Sequence, residues 1–185
     1  MGANIILAIG ALVIFGTFLS SSNRLMTGNT QIAEQNEYYI TAVSLAQSVI
    51  DEAKTKAFDQ FTVGRVIPVP SADSLTPANQ LGPAASEVIS GNDVLSSSGY
   101  KSSTKFNDVD DYNDYNRLVN TPRAEGYRIH VVVQYVSETS PDVVKGAPTF
   151  CKRMKVLVTS PFFPSHRSGG ASVPDTLAVS YAFTY

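Results

Sequence analysis

The sequence predicts an α+β fold in which a long N-terminal α-helix, apolar and then amphipathic, packs on a C-terminal antiparallel β-meander. Three observations carry this expectation. Met1 to Asn23 contains no ionisable side chain. Residues 25–58 place apolar side chains at helical spacing, and the last third alternates apolar and polar residues in three runs. The expected organisation is therefore a core helix over residues 1–24 and a globular part over 25–185. The globular part divides into an amphipathic helix (25–58), a variable loop region (59–125) and the sheet (126–185).

The opening helix follows from composition. Ile5 to Leu19 is almost purely apolar, and Met1 to Asn23 as a helix spans roughly 35 Å, enough to cross a bilayer core. Three readings compete. A cleaved signal peptide normally has a basic n-region, and none is present. A plain membrane anchor is the simplest reading. The third is a helix that starts in a membrane and ends buried among copies of itself.

Beyond Arg24 the chain turns amphipathic. Leu25, Ile32, Tyr39, Ala46 and Ala53 recur every seven residues, with Ala42, Val43, Val49, Ile50 and Ala57 at the intervening steps. Asp51 and Glu52 precede Lys54 and Lys56, which suits helical charge pairs. No proline occurs before Pro68, so one helix from about Asn4 to about Phe58 is expected, roughly 80 Å long. Gly16, Ser20 to Asn23, and Gly28 to Thr30 are poor helix formers. They fit either a membrane-exit loop between two helices or a helical segment that can stretch.

From Asp59 to Lys105, Pro68, Pro70, Pro77 and Pro83 break regular structure. Phe61–Gly64 and Val66–Val69 read as short edge strands and Ala84–Gly91 as one helical turn. Further on, Tyr127, Ile129, Val131, Val133 and Tyr135 form one face of a strand. Met154, Val156 and Val158 form another, and Leu177, Val179, Tyr181, Phe183 and Tyr185 a third. Proline- and glycine-rich connections suit an antiparallel meander with one face free to cover the helix.

Composition narrows the function. Charged residues make up 16% of the chain, against roughly 25% in a typical soluble protein. The net charge of −2 shows no basic excess, so nucleic acid is not an expected partner. The single cysteine, Cys151, excludes an internal disulfide framework and a Cys-based zinc site. Neither His130 nor His166 has metal-ligand spacing, and no nucleophile elbow or phosphate loop is present. No enzyme is expected, and Cys151 reads as a packed strand thiol. The Tyr112/Tyr115 pair and Phe162-Phe163 read as packing or subunit-contact aromatics.

This architecture resembles that of type IV pilins and pseudopilins. Two local matches carry the resemblance further. Asn36-Glu-Tyr-Tyr-Ile-Thr-Ala-Val-Ser-Leu-Ala-Gln-Ser-Val-Ile-Asp-Glu-Ala53 resembles the helix segment of minor pilins, in which a Leu-Ala-Gln run precedes an acidic pair. Phe106-Asn-Asp-Val-Asp-Asp-Tyr-Asn113 resembles a stretch in minor pilins of the mannose-sensitive haemagglutinin type. The architecture covers nearly the whole chain, the motifs only about residues 36–58 and 106–113.

The resemblance implies a structural subunit of an extracellular bacterial filament. It would be anchored in the inner membrane before assembly and would have as partners copies of itself and a pilus or secretion assembly machinery. The filament core would then be Ile5, Ile6, Leu7, Ile9, Leu12, Val13, Ile14, Phe15, Phe18 and Leu19. The alternatives are a minor pilin or pseudopilin at the tip of a pilus or type II secretion machine, and a membrane-anchored binding domain that never polymerises. Family members usually carry a short basic leader and a Glu at the fifth mature position. Here Ile5 stands at that place, if Met1 is the first mature residue. Asn4 or backbone carbonyls would then have to satisfy the neighbouring amine.

One cluster has ligand character. Asp108, Asp110, Asp111 and Asp114 supply four carboxylates within seven residues, with Asn107 and Asn113 as neutral donors. Calcium accepts such irregular oxygen sets. Some pseudopilins bind calcium near the sheet, so the resemblance implies calcium as a candidate cofactor, the only one. The spacing departs from an EF-hand, with Tyr112 at a ligand position and no glycine. The competing reading is a solvated acidic turn held by Asx hydrogen bonds.

Overall fold

A computed structural model describes residues 2–64, 68–88, 103–122, 124–168 and 171–185. Helix α1 runs without interruption from Gly2 to Ala53. The chain divides into two compact units, Met1–Tyr38 and Tyr39–Tyr185. The boundary lies within α1, well beyond the expected break at residue 24.

In the first unit the poor helix formers are all helical. Thr17, Thr27 and Thr30 donate back to the carbonyls of Ile14, Asn23 and Met26 at 2.9–3.0 Å, so these hydroxyls are satisfied within the helix. The membrane-exit loop is therefore absent. Leu25 and Ile32, expected on a buried stripe, are exposed.

The second unit opens with the last turns of α1. Ala42, Ala46, Val49, Ile50 and Ala53 are buried, on spacings of three and four residues. Val43, expected with them, is 44% exposed, because it lies one position off that face. Three alanines on the buried face let the backbone approach the sheet closely. The helix stops at Ala53, short of Phe58, and closes in a tightened turn in which Thr55 N–H donates to Glu52 O and Lys56 N–H to Ala53 O. The expected Asp51–Lys54 pair forms at 2.9 Å.

Among the described residues six strands follow: β1 (Tyr115–Val119), β2 (Tyr127–Tyr135), β3 (Cys151–Thr159), β4 (Ser165–Ser168), β5 (Ala171–Pro174) and β6 (Thr176–Thr184). The main sheet has the order β1-β2-β3-β6, antiparallel throughout, and β4-β5 form a separate hairpin. This is the expected meander, enlarged by a hairpin between its last two strands and by β1, which lies in the stretch expected to be loop. The inward faces of β2 and β3 are the expected ones: Ile129 pairs with Val158, Val131 with Val156 and Val133 with Met154, and all are buried. Tyr39 of α1 stacks on Phe163, in the connection after β3, with ring centroids 4.5 Å apart, and Lys54 lies 4.4 Å over the ring of Tyr181 on β6.

Between helix and sheet, Phe61 and Thr62 belong to a 3-10 turn (Gln60–Thr62), so the first expected edge strand does not form. Of the second, Val66 and Ile67 lie outside the described residues, and Pro68 and Val69 are not in a strand. The expected turn at Ala84 is present, with the Glu87 and Val88 N–H groups donating to Ala84 O; Ile89 to Gly91 lie outside the described residues.

Candidate functional site

The acidic stretch is drawn inside the second unit by backbone pairing. Ala57, just past α1, forms a parallel bridge with Asp108: Ala57 N–H donates to Asn107 O and Val109 N–H to Ala57 O, both at 3.0 Å. Asp110–Tyr112 is a short 3-10 turn. Asn113 ties it to β2 by accepting from Val133 N–H at 3.0 Å. Phe106, Tyr112 and Tyr115 pack edge to face beneath it, and Tyr112 donates to Glu52 on α1 at 2.8 Å. The tyrosine pair is thus packing, as expected; Phe163 is buried and Phe162 half-exposed.

The four aspartates do not share one environment. Asp108, Asp110 and Asp111 are buried, whereas Asp114 sits at a positive φ of 57° with an exposed side chain. Asp108 Oδ1 accepts from the N–H groups of Asp110 and Asp111, an Asx-type turn. Asp111 Oδ2 accepts from the N–H groups of Asn107 and Asp108. Asp110 turns to a cation that sequence reasoning missed, Lys152. Among the described residues no group of three or more His, Cys, Asp or Glu side chains is arranged to hold a metal ion.

Lys152 is fully buried on β3, opposite Tyr135 of β2 and Phe183 of β6. Its three N–H donors are all used: on Phe58 O at 2.9 Å, on Asp59 Oδ2 at 2.7 Å, and on Asp110 Oδ1. The rings of Phe58 and Tyr135 lie 4.6 and 5.0 Å from Nζ. Asp59 is also fully buried. It caps the 3-10 turn by accepting from Phe61 N–H at 3.0 Å, and it accepts from Thr76 N–H, Thr76 Oγ1 and the Tyr135 hydroxyl. A signal for Lys152 was available. Extending the Met154, Val156, Val158 alternation back by two residues puts a lysine on the apolar face.

The electrostatics follow from one cation among several buried carboxylates. Burial pushes the Asp59 carboxyl up, but the Lys152 charge and hydrogen bonds from Lys152, Phe61 and Tyr135 outweigh it and hold the group below the usual carboxylate range. Asp110 is raised, burial outweighing Lys152. Asp108 is pushed up to about 8 by burial and by the charges of Asp110 and Asp111, and Asp111 is raised to about 6 by burial. Asp108 Oδ2 is buried and accepts no hydrogen bond among the described residues, and the Asp108 carboxyl as a whole is a side-chain hydrogen-bond neighbour of Asp110. A proton held between these two acids is the arrangement that low polarity favours.

The expected core residues Ile5, Ile6, Leu7, Ile9, Leu12, Val13, Ile14, Phe15, Phe18 and Leu19 are all exposed in the first unit, Leu12 to 71%. The helix that carries them is long and apolar enough to cross a membrane, and it lies near the N-terminus, as a membrane anchor or signal sequence does. No protein-family model matches the chain, and neither characterised proteins nor solved structures show significant similarity to it.

Proposed function

We propose that the chain is the structural subunit of a pilin-like extracellular filament, held in the inner membrane by its first helical turns before assembly. The observation that supports this best is the division of α1. One continuous helix is uncharged and exposed over its first turns and is built into a folded sheet domain over its last. An isolated helix that is apolar on every side needs lipid or other helices around it. Moving it from lipid into a bundle of its own copies exchanges one apolar environment for another, so packing decides the outcome. Head-to-tail contacts that do not close then extend indefinitely. The local resemblance of residues 36–58 and 106–113 to minor pilins favours a second reading, a subunit at the tip of a pilus or secretion machine.

Electron microscopy after detergent removal tests the reading. The purified full chain is expected to form filaments, and Leu12→Asp is expected to abolish them. A carboxylate in the middle of an apolar helix costs about 2.5–3.5 kcal/mol in each copy. Filaments from Leu12→Asp, or a wild-type chain that stays monomeric, would refute the buried-core proposal. Abundance in sheared surface material separates a main subunit from a tip subunit.

A further inference from the structure

We propose that Lys152 and Asp110 join through an isopeptide bond, Nζ to Cγ, which the protein forms on itself with release of one water molecule. This rests on the buried cluster alone and holds whether or not the chain assembles. The nucleophile and the electrophile are already in contact: Lys152 Nζ donates to Asp110 Oδ1, and both residues are buried to within 1% of full exclusion from solvent. Two further carboxyls flank them, Asp59 at the amine and Asp108 at the Asp110 carboxyl.

Their surroundings give the two flanking acids different roles. Asp59 is fixed as an anion by backbone and hydroxyl donors, so it is a poor electrophile and a placed base for the Lys152 ammonium. Asp108 keeps its proton: its Oδ2 is buried with no partner among the described residues, and its carboxyl is a hydrogen-bond neighbour of the Asp110 carboxyl, so it is a placed acid. In the step, Lys152 passes one proton to Asp59 and Asp108 protonates Asp110. The neutral amine attacks Asp110 Cγ, and the N–C bond forms. The nitrogen releases its second proton to Asp108, which hands it to the departing hydroxyl as the C–O bond breaks. Water leaves, an amide N–H remains, Asp59 keeps the proton it took from Lys152, and Asp108 ends ionised. No oxidant, reductant or cofactor is required.

Two physical terms drive the reaction forward. Reactants held in a dry, fixed geometry reach effective concentrations of roughly 10⁵ M or more. The product is a neutral amide in place of a buried ammonium and carboxylate, whose desolvation is costly. The Phe58 and Tyr135 rings on Nζ keep the site apolar while the amine loses its charge.

Tryptic digestion of the denatured full chain, followed by mass spectrometry, decides the question. The bond is expected to yield one branched species, Phe106–Arg117 joined to Gly146–Arg153, lighter than the two peptides together by one water. Cleavage after Lys152 is blocked in that species. Asp110→Asn is expected to give a branched peptide of identical mass, ammonia replacing water as the leaving group. Lys152→Arg and Asp110→Ala are expected to give none, and Asp108→Asn to slow its appearance at least tenfold. Free Phe106–Arg117 and Gly146–Lys152 from folded wild-type protein after prolonged incubation would overturn the proposal. So would a branch to residues 57–65, or one that fragmentation places on Asp108 or Asp111. The wild-type digest alone decides, whatever the variants' folding.

Discussion

The two units treat solvent in opposite ways. Met1–Tyr38 exposes Ile5, Leu12, Phe15, Phe18 and most of its other apolar side chains, and Arg24 is its first ionisable side chain. Tyr39–Tyr185 does the reverse at its centre, enclosing Lys152, Asp59, Asp108, Asp110 and Asp111. The first unit therefore takes its stability from whatever surrounds it, and the second from partners it carries itself. The same α-helix serves both. Its hydrogen bonds are indifferent to environment, and only the side chains decide what each end requires.

The comparison breaks most sharply at Lys152. Compared with protein in which the amide has not formed, Lys152→Met removes the cation from a site that retains Asp59 and Asp110, and a broken buried pair costs about 3–5 kcal/mol. Urea unfolding of the full chain in detergent is expected to show that loss, while helicity of the first unit is unchanged. A loss under about 1 kcal/mol would mean that the carboxylates reach water or take up protons at little cost.

A second effect separates the units by pH. Before the amide forms, Asp108 and Asp111, raised to about 8 and about 6 in the folded protein, titrate near 3.9 when unfolded. Between about pH 4 and 8 the folded state holds protons that the unfolded state has released, so stability falls as pH rises. Each group contributes a slope of at most about 1.4 kcal/mol per pH unit within its own window. Asp59, held low, acts oppositely and loses its contribution only below about pH 4. The melting temperature is expected to be higher at pH 5 than at pH 8, and Asp108→Asn is expected to flatten the difference. A melting temperature that rises over that interval would contradict the placement of Asp108.

Two alanines on one helix sharpen the contrast further. Ala46 is completely buried and Ala33 exposed. Ala46→Leu overpacks the helix–sheet contact and is expected to cost about 1–3 kcal/mol. Ala33→Leu is expected to stay within about 0.5 kcal/mol. Equal effects, read by thermal unfolding, would mean that both sites face neighbours.

The smallest expected effect concerns calcium. Lys152 already supplies the cation that Asp110 faces, and Asp111 is engaged by backbone N–H groups. Millimolar calcium or a chelator is expected to leave the melting temperature unchanged. A concentration-dependent rise exceeding that with magnesium would show that the carboxylates regroup around the ion.

Much of the fold was legible because it is written in local periodicity. The helix followed from absent charge and then from three- and four-residue spacing, and β2 and β3 from alternation of their buried faces. β1 was hidden because Asn116 and Arg117 give it the look of a polar loop. The β4-β5 hairpin lay in a stretch whose prolines and glycines suggested only a connection. The acidic cluster was recognised as unusual, but not its partner. Lys152 reaches Asp59 across 93 residues and Asp110 across 42, and nothing local in sequence encodes such a meeting. Only the alternation of β3, followed back to residue 152, pointed inward.

That long reach also orders events in time. Tyr135 meets Asp59 across 76 residues, so the cluster closes only after α1, the 3-10 turns, β2 and β3 have come together. Stripping water from a lysine before its carboxylates arrive is unfavourable, which makes closure a late step on the folding route. Interactions absent from the transition state govern how fast a protein comes apart, not how fast it forms. The buried lysine thus acts as a latch: in protein that has not formed the amide, substituting it is expected to accelerate unfolding by roughly 10²–10³-fold while refolding proceeds at nearly its original rate.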